Sequence, residues 1–67
     1  MLAFSQLSII IPTFNEERRI EKTLLQVQAC APNAEIIVVE GGSNDKTVAI
    51  ASKHARVIAA TLAHQVL

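Results

Sequence analysis

Two short segments hold most of the residues that could do chemistry. The first is Pro12-Thr13-Phe14-Asn15-Glu16 and the second is Glu40-Gly41-Gly42-Ser43-Asn44-Asp45. Between them they offer the carboxylates of Glu16 and Glu40, an aromatic ring (Phe14), hydroxyls (Thr13, Ser43) and a glycine pair. A ring beside an acceptor suits a nucleobase, which stacks on the ring and gives an N–H to the carboxylate. A carboxylate also suits ribose hydroxyls. Glu40 closes a run of four branched apolar residues, where a charge needs a reason, and a ligand at the strand end would supply one.

Each of these residues also has a plainer use. Phe14 could staple a helix to a sheet, and Glu16 could simply favour the positive end of a helix dipole. The glycine pair serves backbone geometry, because glycine takes positive φ without penalty. Ser43 and Asp45 read as caps of a following helix. Cys30, near a helix end, reads as a small buried hydrophobe. His54 belongs on a helix face and His64 in a tail, and their spacing suggests no metal site.

The elements that must position these segments follow from the apolar pattern. Gln6–Ile11 is short, β-branched and ends at Pro12, so it reads as a strand whose pairing stops at the proline. Asn15 is a candidate N-cap for the next helix, and Thr13 with Glu16 also fits a capping box. Ile20, Leu24 and Val27 form one apolar stripe, with Arg18, Arg19, Glu21 and Lys22 facing water. This helix should end near Cys30-Ala31, before Pro32. Glu35–Glu40 is a second strand, Lys46–His54 a short helix, Arg56–Ala60 a third strand, and Thr61–Leu67 has no clear period.

The order strand, helix, strand, helix, strand predicts a parallel βαβαβ arrangement in the α/β class. Both loops then lie side by side beyond the carboxyl ends of the strands, where open α/β sheets bind ligands. The strands are apolar without alternation, which suits a sheet buried on both faces. Two helices on consecutive crossovers cover one face only. Met1–Ser5 and Thr61–Leu67 are all that remains for the other. Residues 1–67 therefore read as a single partial domain, the N-terminal part of a larger α/β domain, or as a chain that hides its open face by self-association.

Composition narrows the function classes. The 67 residues carry 6 Lys+Arg and 6 Asp+Glu, a formal net charge of zero, so a nucleic-acid partner held by a basic surface is excluded. Phe4 and Phe14 are the only aromatics, too few for a stacking platform on single strands. One cysteine rules out an internal disulfide and fits a reducing cytoplasm. The first cation is Arg18, so a signal peptide's basic start is missing, and no apolar stretch reaches the roughly 20 residues that span a bilayer. Below roughly 70–80 residues a single core rarely supplies more than about 3–5 kcal/mol. A phosphate loop is excluded because Glu40 and Asp45 occupy its two glycine positions, and Pro-Thr-Phe-Asn-Glu replaces the glycines a dinucleotide site needs after the first strand. A receiver domain lacks its paired acids and its phospho-accepting aspartate.

SIIIPTFNEE, a helix, EIIVVEGGSNDKTVAIA and then RVI together resemble the start of a family 2 glycosyltransferase of the GT-A fold, over roughly residues 7–58. The second motif most resembles the subset that carries Asp-Gly-Gly-Ser. The resemblance implies a Rossmann-like nucleotide-sugar-binding domain for a UDP- or GDP-type donor. It implies that Pro12, Thr13 and Phe14 line the nucleobase pocket, with Asn15 and Glu16 near the nucleotide. Glu40 stands where the family has an Asp that contacts base or ribose. Members transfer the sugar with inversion, using a catalytic base and usually Mg²⁺ or Mn²⁺ on the diphosphate. Thr61–Leu67 replaces the family's Gly/Arg-rich segment, Asp45 is the only aspartate and no Asp-x-Asp occurs. No catalytic or metal residue is therefore assigned, and this chain is expected to be inactive alone. A truncated or frame-shifted reading frame would produce the same departure.

Overall fold

The computed structural model describes residues 7–60. Three strands, β1 (Ser8–Thr13), β2 (Glu35–Glu40) and β3 (Arg56–Ala59), alternate with two helices, α1 (Ile20–Cys30) and α2 (Thr47–Ala51). The sheet order is β1-β2-β3 and both pairings are parallel. This is the expected βαβαβ arrangement. Residues Met1–Gln6 and Thr61–Leu67, including the segments considered above as cover for the open face and His64, lie outside the described residues.

Register places the chemistry at one rim. Thr13 pairs with Glu40 at the carboxyl ends of β1 and β2, and Glu40 pairs with Ala59 on β3. The β1–β2 ladder does not stop at Pro12, which pairs with Val39. The hydrogen bonds explain why. The carbonyls of Leu7 and Thr13 accept from the amides of Glu35 and Gly41, both at 2.9 Å. Alternation along the strand turns the odd-numbered residues of β1 toward β2 and the even-numbered ones, Pro12 among them, toward the sheet's outer edge. The missing N–H of Pro12 therefore falls where no ladder bond is needed.

One face of the sheet carries the core. Ile20, Leu24, Ile36, Val38 and Ala51 are buried, and Ile11, Val27, Ile50, Ala55 and Val57 pack against them. The predicted stripe on α1 is thus the stripe it buries. The other face is not covered by any described element. Ile10 is 56% exposed and Ile58 44%, with Ile37 and Val39 half-buried between them. The alternation absent from the sequence of these strands is present in their burial. Their near-uniform apolarity therefore does not bring two-sided burial among the described residues.

Two helix boundaries and the burial of one residue differ from the sequence reading. Helix α1 begins at Ile20, after a tight turn in which the Glu16 carbonyl accepts from the Arg19 and Ile20 amides at 2.9 and 2.8 Å. Asn15 is therefore not its N-cap. It takes a left-handed conformation instead, with φ of 51°. Helix α2 stops at Ala51, so His54 lies in the turn that follows. There its Nε2 meets Glu21 Oε2 at 3.0 Å, and its carbonyl accepts from Gln28 Nε2 at 3.0 Å, which ties the end of α2 to α1. Cys30, the last residue of α1, is exposed and not the buried hydrophobe expected.

Candidate functional site

The two rim segments meet through hydrogen bonds between residues far apart in sequence. Asn15 N–H donates to Ser43 Oγ at 2.7 Å, and Asn44 N–H donates back to Asn15 Oδ1 at 2.8 Å. Glu16 N–H donates to Thr47 Oγ1 at 2.8 Å, and Glu17 N–H to Asp45 Oδ2 at 3.3 Å. In return Lys46 N–H donates to Glu17 Oε1 at 2.9 Å. The amides ahead of α1, which a local cap was expected to serve, are taken by side chains of the second loop. Asparagine is one of the few non-glycine residues that enter the left-handed region, and here its side-chain oxygen is engaged by the Asn44 amide across the rim.

Glu40 is 6% exposed, and its carboxylate bends back over its own loop. Oε1 accepts from Gly42 N–H at 2.8 Å and Ser43 N–H at 3.0 Å. Oε2 accepts from Ser43 N–H at 2.9 Å and from the Ser43 hydroxyl. Burial pushes this carboxyl's pKa up, but the Ser43 hydroxyl and the Ser43 and Gly42 amides outweigh it. The net direction is down, against a smaller upward push from the charge of Asp45. Gly42 has φ of 95°, which requires glycine. Ser43 is occupied by Glu40 and Asn15 and does not cap α2.

Asp45 does serve the start of α2. Its Oδ1 accepts from Thr47 N–H at 2.9 Å and from the Thr47 hydroxyl. The Thr47 hydroxyl is the main cause holding the Asp45 pKa below its ordinary value, opposed by partial desolvation and helped by the Thr47 and Glu17 amides. Thr47 itself is fully buried. Thr47 and Glu17 are the site residues that sequence reasoning missed. Glu17 has no local signal, since its partners lie across the rim, and Thr47 bonds Asp45 beside it but also takes the Glu16 amide from across the rim.

The remaining predicted residues fall into an exposed ring and two adjoining clefts. Phe14 is 54% exposed and lies over Gly41, where a Cβ would come 3.6 Å from Phe14 Cδ1. Pro12, Thr13 and Glu16 line a cleft of about 260 Å³ together with Arg19. Asn15 and Glu16 line a second, of about 410 Å³, with Glu17, Arg18, Arg19 and Asp45. Arg18 and Arg19 join no ion pair among the described residues, so both guanidinium groups are available to an anion. Among the described residues no cluster of three His, Cys, Asp or Glu side chains could hold a metal ion. No described helix is long and apolar enough to cross a membrane.

Parallel βαβαβ topology with polar loops gathered at the carboxyl rim defines a Rossmann-like α/β unit. The chain belongs to glycosyl transferase family 2, whose model matches residues 8–64. The match runs past Thr61, where the sequence was expected to leave the family's pattern. No curated protein and no solved structure matches the chain.

Proposed function

We propose that this chain is the nucleotide-sugar-binding portion of an inverting glycosyltransferase of the GT-A type, acting on a UDP- or GDP-linked donor. The observation that carries the reading is the joining of the two motif-bearing loops at one rim, with the Phe14 ring open to solvent beside them. Phe14 offers its face to the nucleobase. Pro12 and Thr13 form the wall beneath, and Asn15 and Glu16 offer polar groups to base N–H or ribose hydroxyls. Glu40 acts within the loop below. In inverting transfer an acceptor hydroxyl attacks the anomeric carbon as the nucleoside diphosphate leaves from the opposite face. A base must take the hydroxyl proton, and charge on the departing diphosphate must be met. Asp45 is already engaged by Thr47 and the Glu17 amide, and no residue here is assigned as that base or as a metal ligand. These residues bind the donor and do not transfer its sugar alone. A metal such as Mg²⁺ or Mn²⁺ belongs to a full-length relative. The single exposed thiol of Cys30 supports a cytoplasmic setting.

The test is a ¹⁵N-HSQC titration with UDP and then GDP. Saturable, concerted shifts of the Phe14, Asn15, Glu16 and Ser43 amides for one of the two are expected. A dispersed spectrum blind to both would sink the proposal.

The open sheet face favours a second reading, in which the chain associates with another copy of itself and binds no nucleotide. Ile10 and Ile58 would then be covered at the contact. Sedimentation velocity over a concentration series decides it, because a monomer at every concentration contradicts that reading.

A further inference from the structure

A carboxylate offers about four lone-pair positions. On Glu40 three donors meet them: Gly42 N–H, Ser43 N–H (shared between the two oxygens) and the Ser43 hydroxyl. The residue is also only 6% exposed. Its neighbours in register, Thr13 and Ala59, are uncharged, and Asp45 from its own loop is the charge that bears on it. A ligand hydroxyl or base N–H would have to reach a nearly buried carboxylate that already accepts from three donors of its own loop. The Ser43 hydroxyl continues the chain of bonds outward. It gives its proton to Glu40 and accepts from Asn15 N–H, and Asn15 Oδ1 accepts from Asn44 N–H.

We infer that Glu40 is a positioning residue: its carboxylate sets the Gly41-Gly42-Ser43 loop and, through Ser43, the left-handed Asn15 turn that presents Phe14, without touching the ligand. The extra methylene of glutamate over aspartate lets the carboxylate fold back over the amides of the following loop. Asn15 sits two bonds from Glu40, so a change in the carboxylate's charge is felt at the opposite loop. Only the consequence for affinity rests on the nucleotide-binding reading; the linkage between the loops does not.

The experiment therefore has two arms. In the free protein, the Gly42, Ser43 and Asn15 amide shifts are followed as pH is lowered. All three should report a single titration, shared with the Glu40 side-chain carboxyl ¹³C signal. In Glu40→Gln that titration should vanish and all three amides should move, because the new NH₂ faces amide donors where an oxygen stood. In Ser43→Ala the Gly42 amide should still titrate while the Asn15 amide no longer does. An Asn15 amide indifferent to both substitutions overturns the linkage. Should Glu40→Gln fail to fold, the unaltered chain and Ser43→Ala give the same readouts. In the second arm, saturating UDP or GDP should leave the Glu40 carboxyl ¹³C shift in place. Glu40→Gln and Ser43→Ala should each weaken binding about tenfold. Their combination should weaken it no more than either, since they break one network. A ligand-induced carboxyl shift, or losses that add, would show direct contact and overturn the inference. If neither nucleotide binds, the proposed function fails, and the first arm still decides the linkage.

Discussion

Phe14 and Glu40 end adjacent parts of the same rim, yet solvent treats them oppositely. Phe14 is 54% exposed and lies outside the core, while Glu40 is 6% exposed and its carboxylate holds a loop. Stacking of a base on an aromatic ring is worth about 1–3 kcal/mol. Phe14→Ala should therefore weaken nucleotide binding by about tenfold or more and leave the urea midpoint almost unchanged, as exposed sites shift stability by about 0.5 kcal/mol or less. Calorimetric titration beside a urea melt checks both halves. Acid acts on the carboxylates. Glu40 and Asp45 are both held below their ordinary values of 4.5 and 3.8. A depressed folded-state pKa contributes stability that is complete above the unfolded value and lost as pH falls through the folded one. The urea midpoint should thus be level above pH 4.5 and decline below it, and Glu40→Gln should show a shallower decline. A midpoint that rises on acidification would contradict both assignments.

At the scale of elements, the rim is built by α2 as much as by the loops. The Thr47 hydroxyl accepts the Glu16 amide and donates to Asp45 while fully buried. Thr47→Val keeps the volume but leaves the Glu16 N–H without a partner, which costs about 1–3 kcal/mol. Thr47→Ser should recover most of that loss, and equilibrium urea unfolding of the two variants measures the difference. This same residue marks where the sequence ceases to be readable. The stripe Ile20, Leu24, Val27 was legible because helical spacing is local, and it packs as spaced. The start of α1 was not, because its lead-in amides are capped from 28 to 31 residues away. A capping box can be recognised only when cap and capped residue are neighbours. Pro12 misled for a related reason. A proline ends pairing only when its nitrogen faces the partner strand, and that parity is set by register.

For the whole molecule, element order was enough to give the parallel topology and to place both motifs at one rim. The family match then agrees with the motifs that carried the resemblance. That both described helices lie on one face of the sheet was legible too, from counting two crossovers against its two sides. What composition could not tell was how much of the other face the described residues leave open, since Ile37 and Val39 are half-buried and Ile10 and Ile58 are not. Ile58→Lys should change unfolding free energy little, about 0.5 kcal/mol or less. If copies of the chain meet through this face, the same substitution should abolish any concentration dependence in sedimentation. Association that persists in Ile58→Lys places the contact elsewhere.

The bonds across the rim also govern how long this loop pair keeps its protons. The amides of Asn15 and Glu16 sit in a loop, where hydrogens ordinarily trade with water quickly. Here each is held by a side chain that stays in place only while β1 and β2 remain zipped. Their exchange with deuterium should therefore keep pace with the buried amides of β2 and run far slower than that of the Asn33 turn, as members of one cooperative unit. A chain that has begun to open is then a chain with no rim, and any nucleotide grip it has disappears all at once.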